Sequence, residues 1–202
     1  MMNQTLVGLN APKLIADAVL PSGEIVNQYD FISETEGQYR LVFFYPLDFT
    51  FVCPTELLAL DKRIAQFKQL NVAVAAVSID SVHTHFRWRN TPINEGGIGA
   101  VQYPLIADIN HQVCQSFGVQ SQQGMSFRGA FLVDQAGIIK AQWVHDLPLG
   151  RNIDEFIRVV EALQHHEQYG EVCPAGWQKE KSGMKESHDG VKSFLTQHAE
   201  EL

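Results

Sequence analysis

"RLVFFYPLDFTFVCPTE", residues 40–56, contains the change of pattern that decides the fold. Its first half, Arg40 to Pro46, is an unbroken apolar and aromatic run, the mark of a strand buried on both faces. Its second half reaches Pro54, which suits the first turn of a helix because the N–H it lacks has no helical partner there. Beyond it Leu57, Leu60, Ile64, Phe67 and Leu70 recur at steps of three and four and give one apolar stripe. A strand therefore runs into a helix, and Cys53 stands at the junction.

The same alternation continues down the chain. Val72 to Ile79, "VAVAAVSI", reads as a second buried strand, and Ser81 is placed to cap the short helix after it. Tyr103 to Ala107 is a third strand, and His111 to Phe117 a short helix. "RGAFLVDQAGIIKAQWV" reads as two strands joined at a turn around Asp134 to Gly137. Asp154 to Tyr169 is a helix with Phe156, Val159, Val160 and Leu163 on one side. Strands alternating with helices predict an α/β sheet with helices on both faces. The closing hairpin makes the sheet mixed, which is the thioredoxin-like pattern. From Gly170 the composition shifts to Gly, Pro, Lys and Ser, so residues 1–169 read as the domain. Residues 170–202 read as a C-terminal tail, with a short helix over Val191 to Leu202.

A chain of 202 residues is long enough for one domain with a real core and a modest extension. Its 15 basic and 23 acidic residues give a net charge of −8, the opposite of a nucleic-acid binder's basic footprint. No apolar run approaches the ~20 residues of a membrane-spanning helix. Met1 to Pro12 shows no basic segment leading into an apolar one, so no export signal is read there. Three cysteines, Cys53, Cys114 and Cys173, stand far apart, which suits catalysis or packing better than a disulfide framework and makes the cytoplasm the default.

At a helix start, unpaired N–H groups and the helix dipole favour negative charge, and the thiolate is the reactive form of cysteine. Thr50, three residues earlier, brings a hydroxyl within reach of Cys53, and Pro46 walls the space without adding a donor. A strand-to-helix junction at the carboxyl end of an α/β sheet is also a usual place for a site. Against this stands the habit of free cysteine to be buried and inert. On these grounds alone Cys53 is balanced between a packing residue and a nucleophile.

Pro46-Leu-Asp-Phe-Thr50-Phe-Val-Cys53-Pro-Thr-Glu56 resembles the P-x-x-x-T-x-x-C signature of peroxiredoxins, in particular the typical two-cysteine class that includes the peroxidase subunit of alkyl hydroperoxide reductase. "RWRNTPINEGGIG" (87–99), "SFRGAFLVD" (126–134), "HDLPLGRNIDE" (145–155) and "GEVCPAGW" (170–177) resemble the same class, in the same order. The resemblance implies a thiol peroxidase acting on hydrogen peroxide and small organic hydroperoxides, with no metal, haem or flavin. It implies that Cys53 attacks the peroxide and that Thr50 orients it. Arg128 would stabilise the thiolate and hold the peroxide oxygens, Glu56 would orient that arginine, and Arg151 would support both. Pro46 would shield the sulfur from water. Cys173 would resolve the Cys53 sulfenic acid from the other chain of a homodimer, and many members close such dimers into a decameric ring. Thioredoxin or a dedicated flavoprotein disulfide reductase would reduce the disulfide.

Other features carry less. Cys114, in "HQVCQSFG", reads as a packed helix cysteine. The pairs His83/His85 and His165/His166 read as solvated helix faces, since no metal-ligand spacing accompanies them. "GGIGAV" lacks the third glycine of a dinucleotide loop. In the resemblance it is half of a device that slows exposure of the nucleophile and invites overoxidation to sulfinate. The other half is a Tyr-Phe pair, for which this chain has Phe194-Leu195 after Ser193. Without the tyrosine hydroxyl, a fairly robust enzyme is expected. A thiol–disulfide oxidoreductase would want C-x-x-C, which is absent, and a chaperone role in higher oligomers stays open.

Overall fold

The computed structural model describes residues 5–202; Met1 to Gln4, included in the first domain by the sequence reading, lie outside the described residues. The chain divides into two compact units, one ending at Ile153 and one running from Asp154 to Leu202.

In the first unit seven strands form one sheet: β1 (Ile15–Val19), β2 (Ile25–Asp30), β3 (Tyr39–Phe44), β4 (Val72–Ser78), β5 (Leu105–Ala107), β6 (Arg128–Val133) and β7 (Ile139–His145). Their order is β2-β1-β5-β4-β3-β6-β7. β3, β4 and β5 are parallel, while β6 pairs antiparallel with β3 and β7, so the sheet is mixed as expected. β3 lies centrally and all six of its residues are buried, which is why it reads as a continuous apolar run. Its side chains alternate between faces. Val42 and Phe44 join Phe117, Phe131 and Cys114 in one core, where the Phe44, Phe117 and Phe131 ring centroids lie 4.9–5.8 Å apart. Phe43 and Tyr45 point the other way, toward the site described below.

Two features depart from the sequence reading. β1 and β2 form an antiparallel pair at one edge, and no strand was expected there. β2 has no fully buried residue and β1 only two, so both lack a long apolar run. After a short α1 (Phe31–Glu34), the single stripe from Leu57 to Leu70 is also divided, into α2 (Cys53–Asp61) and α3 (Ile64–Gln69). The Arg63 N–H bonds to the Leu60 carbonyl, tightening the chain at the break, yet Leu57, Leu60 and Phe67 all remain buried. The hydrophobic period survives a break in the backbone.

The other expected strands and helices are present, with ends that differ by up to four residues. α4 (Val82–Arg89) begins at Ser81, whose hydroxyl accepts from the Thr84 N–H. The β6–β7 turn closes with the Gly137 N–H on the Asp134 carbonyl. α5 (Gln112–Ser116) is secured by Asp108, which accepts from the Val113 and Cys114 N–H groups. In "GGIG", Gly96 ends a 3-10 turn at φ 83°, and a Cβ on Gly97 would collide with the Thr91 backbone. The second unit holds most of α6 (Ile153–Tyr169), a Val172–Met184 bridge and α7 (His188–His198), whose N-cap Ser187 accepts from the Gly190 N–H. No helix among the described residues is long and apolar enough to cross a membrane.

Candidate active site

Cys53 is the first residue of α2, with Pro54 in the first turn, and its side chain is fully buried. The loop that delivers it leaves β3 at Phe44 and turns through Phe49, a bulky residue held in the left-handed region at φ 52°. Such a conformation costs on the order of 1–2 kcal/mol and persists only where the surroundings enforce it. The Phe49 ring rests on Trp88, with centroids 5.8 Å apart, while Phe51 stands 93 % exposed. After this turn the Thr50 hydroxyl oxygen lies 2.9 Å from the Cys53 sulfur and 2.8 Å from the Leu47 carbonyl oxygen. A hydroxyl has one proton, so it donates to only one of them at a time.

Arg128 arrives from across the sheet. Phe43 pairs with Ala130 in the antiparallel β3–β6 ladder, so two residues further along, Arg128 is level with Tyr45 and the start of the Cys53 loop. Its Nη1 lies 3.5 Å from the Cys53 sulfur and donates to Glu56 Oε2 at 2.8 Å; its Nε donates to the Leu147 carbonyl at 2.6 Å. Arg151 binds the same carboxylate through its Nε and backbone N–H on Oε1 and its Nη2 on Oε2, at 2.8–3.0 Å. Its guanidinium also lies over the Phe43 ring, 3.4 Å from the centroid. Glu56, Arg128 and Arg151 are all buried. Burial acts to raise the Glu56 carboxyl, but hydrogen bonding and charge from Arg151, then charge from Arg128, outweigh it and hold Glu56 below its ordinary 4.5.

Thr50, Cys53, Glu56, Arg128 and Arg151, all singled out in the sequence, thus form one connected cluster. Pro46 lines, with Thr50 and Arg128 of this cluster, a cavity of about 460 Å³, whose other apolar lining includes Phe51, Val52, Met125, Leu147 and Pro148. Thr50 and Arg128 bring polar side chains into that mouth. The site can therefore direct one hydroxyl and one guanidinium at a buried sulfur from an apolar approach.

The other cysteines lie in different settings. Cys173, in the second unit, is half-buried, with its Sγ donating to the Ala162 carbonyl at 3.4 Å. Burial pushes its thiol up, Arg158 draws it down and Glu171 raises it, for a net rise. Cys114 is buried in the core, and burial, with the nearby Asp108 charge, pushes its thiol up to about 12. All three cysteines are free thiols.

One expectation is corrected. His83 is exposed as foreseen, but His85 faces inward and is fully buried. Its Nδ1 donates to Asp48 Oδ2 at 2.7 Å, and its Nε2 lies 3.3 Å from the Ile106 carbonyl. Polar partners at its ring nitrogens make an inward imidazole tolerable. Tyr45 donates its hydroxyl to Asp48 Oδ1 at 2.7 Å, and burial with the Asp48 charge pushes that hydroxyl well above 10. His165 is likewise no simple surface residue, since its ring packs on Tyr169 and Trp177 and its Nε2 meets Glu171 at 3.1 Å. The i, i+3 spacing of Tyr45 and Asp48 held no signal, because both lie in the loop after β3 and their partner His85 lies on α4.

Residues 7–142 match the model of the AhpC/TSA family, and residues 162–197 match that of the C-terminal domain of 1-Cys peroxiredoxin. Alkyl hydroperoxide reductase C of Buchnera aphidicola (subsp. Acyrthosiphon pisum) is 44% identical over 195 residues, covering 96% of this chain and 99% of the relative. Peroxiredoxin-2 of Bos taurus is 42% identical, over 95% and 96% of the two chains. The crystal structure of reduced Plasmodium vivax 2-Cys peroxiredoxin superimposes with a TM-score of 0.91 at 42% identity, covering 96% of this chain and 100% of that one.

Proposed function

The chain belongs to the AhpC/TSA family of peroxiredoxins, and from that membership we propose how its cluster carries out thiol-dependent peroxide reduction. Cys53, as thiolate, attacks the nearer oxygen of a peroxide; the O–O bond breaks, and the departing alkoxide or hydroxide takes up a proton as alcohol or water. Cys53 is left as sulfenic acid. Arg128 and the Thr50 hydroxyl hold the peroxide and stabilise the charge moving to the leaving oxygen. Glu56 and Arg151 keep Arg128 aimed at the sulfur, and Pro46 keeps water from it. Hydrogen peroxide and small organic hydroperoxides are the substrates. The observation that carries this reading is the convergence of Thr50 Oγ1 and Arg128 Nη1 on one sulfur at 2.9 and 3.5 Å.

Cys173 then condenses with the sulfenic acid, forming a disulfide and releasing water, and supplies this thiol from the partner chain of a homodimer. The dimer assembles further into a decameric ring. Thioredoxin or a flavoprotein disulfide reductase regenerates both thiols. Three free, widely spaced cysteines suit a reducing compartment, the cytoplasm. Non-reducing electrophoresis after one equivalent of peroxide tests the scheme. A disulfide-linked dimer is expected for the wild type and Cys114→Ser, and none for Cys53→Ser or Cys173→Ser. Loss of the dimer in Cys114→Ser alone would transfer the resolving role to Cys114.

A further inference from the structure

The buried Tyr45, Asp48 and His85 and the half-buried Asp80 have no part in the scheme above, yet they meet at one peptide unit. The Leu47–Asp48 peptide presents its carbonyl to the Thr50 hydroxyl at 2.8 Å and its N–H to Asp80 Oδ2 at 2.9 Å. The Asp80 oxygen is fixed in turn by the Ser78 hydroxyl at 2.7 Å. The Asp48 side chain is held at both oxygens, by Tyr45 at 2.7 Å and by His85 at 2.7 Å, with neither Asp48 nor His85 side chain exposed. His85 is anchored at its far nitrogen by the Ile106 carbonyl in β5.

We infer that His85 and Asp80 are positioning residues for the attack of Cys53 on peroxide. They fix the plane of the Leu47–Asp48 peptide, and its carbonyl sets where the Thr50 hydroxyl points. The left-handed Phe49 follows directly and needs this support, because a strained residue relaxes once its surroundings release it. α4 and the segment after β4 thereby determine the geometry at a sulfur that neither touches. This inference rests on Cys53 being the attacking thiol.

The test compares two reactions of Cys53 in the full-length protein under single-turnover conditions: oxidation by hydrogen peroxide and alkylation by iodoacetamide. Only the first uses the Thr50 hydroxyl. His85→Gln withdraws the donor from Asp48, whereas the shorter amide of His85→Asn replaces it. Displacing a reacting group by about 1 Å costs up to ~100-fold, so His85→Gln and Asp80→Ala are expected to slow oxidation by roughly 10- to 100-fold. Alkylation should change by less than about threefold, and His85→Asn should oxidise within about threefold of the wild type, both well below that positioning loss. Unchanged oxidation in His85→Gln and Asp80→Ala, a parallel fall in both reactions, or equal impairment of the Asn and Gln variants would each overturn the inference. If His85→Gln does not fold, Asp80→Ala decides alone by the same ratio. Cys53→Ser is included to abolish both labels. If it does not, the fault lies with the assignment of Cys53 and not with His85.

Discussion

Arg151 closes on Glu56 with three hydrogen bonds, from its backbone N–H, Nε and Nη2, at 2.8–3.0 Å. Glu56→Gln therefore leaves two buried guanidinium groups without their counter-charge. Breaking a buried ion pair from one side costs about 3–5 kcal/mol, and a loss of that order is expected in urea unfolding. Peroxidase activity should fall with it, because Arg128 loses the group that aims it. A Glu56→Gln variant as stable and active as the wild type would remove Glu56 from the site.

The same pair sets a pH dependence. The Glu56 carboxyl lies lower in the folded protein than its ordinary 4.5. Its contribution to stability is therefore complete above that value and is lost as pH falls through the depressed one. Acid unfolding should be steeper below pH 4.5 in the wild type than in Glu56→Gln, and parallel acid limbs would contradict this.

Thr50→Val keeps the shape of the side chain and removes the hydroxyl. By analogy with loss of one preorganised donor at a developing oxyanion, peroxide reduction should slow about 10²–10³-fold. Thr50→Ser should recover most of the rate. Stopped-flow measurement of kcat/KM with hydrogen peroxide distinguishes the two.

Cys114 has its thiol pushed up to about 12 in the core that also holds Phe44 and Phe117. It is expected to resist alkylation in the native protein at pH 8 and to label fully in denaturant, because the thiolate is the reacting form. Peptide mass spectrometry after timed alkylation reads this directly.

By the resemblance, Ser193-Phe194-Leu195 would stand where sensitive members of the class carry a Tyr-Phe pair; the Phe194 ring packs on His198 with centroids 4.7 Å apart. Little sulfinate should accumulate on Cys53 over many turnovers, and Phe194→Tyr with Leu195→Phe should raise the sulfinate fraction. Rapid inactivation of the wild type at micromolar peroxide would refute it.

The strand and helix around Cys53 were legible because burial on both faces and the spacing of Leu57, Leu60 and Phe67 leave direct traces in the order of residues. The β1–β2 edge left none, being half-exposed and short of apolar runs. The site divides in the same way. Thr50 and Cys53 are neighbours in the chain, whereas Arg128 and Arg151 reach Cys53 and Glu56 across 75 and 95 residues. Local periodicity holds no information about such closures, and only resemblance to a family joined those segments. His85 was misread for a related reason: an inward histidine needs polar partners for its ring nitrogens, and these come from Asp48 and Ile106, 37 and 21 residues away.

The single proton of Thr50 stands between the Leu47 carbonyl and the Cys53 sulfur. Moving it from one to the other is a rotation about one C–O bond, with every heavy atom left in place. Rotations of this size finish in picoseconds to nanoseconds, whereas enzyme turnovers commonly take milliseconds or longer. The hydroxyl is therefore always equilibrated with the charge on the sulfur beside it. Reorientation of this hydroxyl is thus far too fast to hold up a turnover.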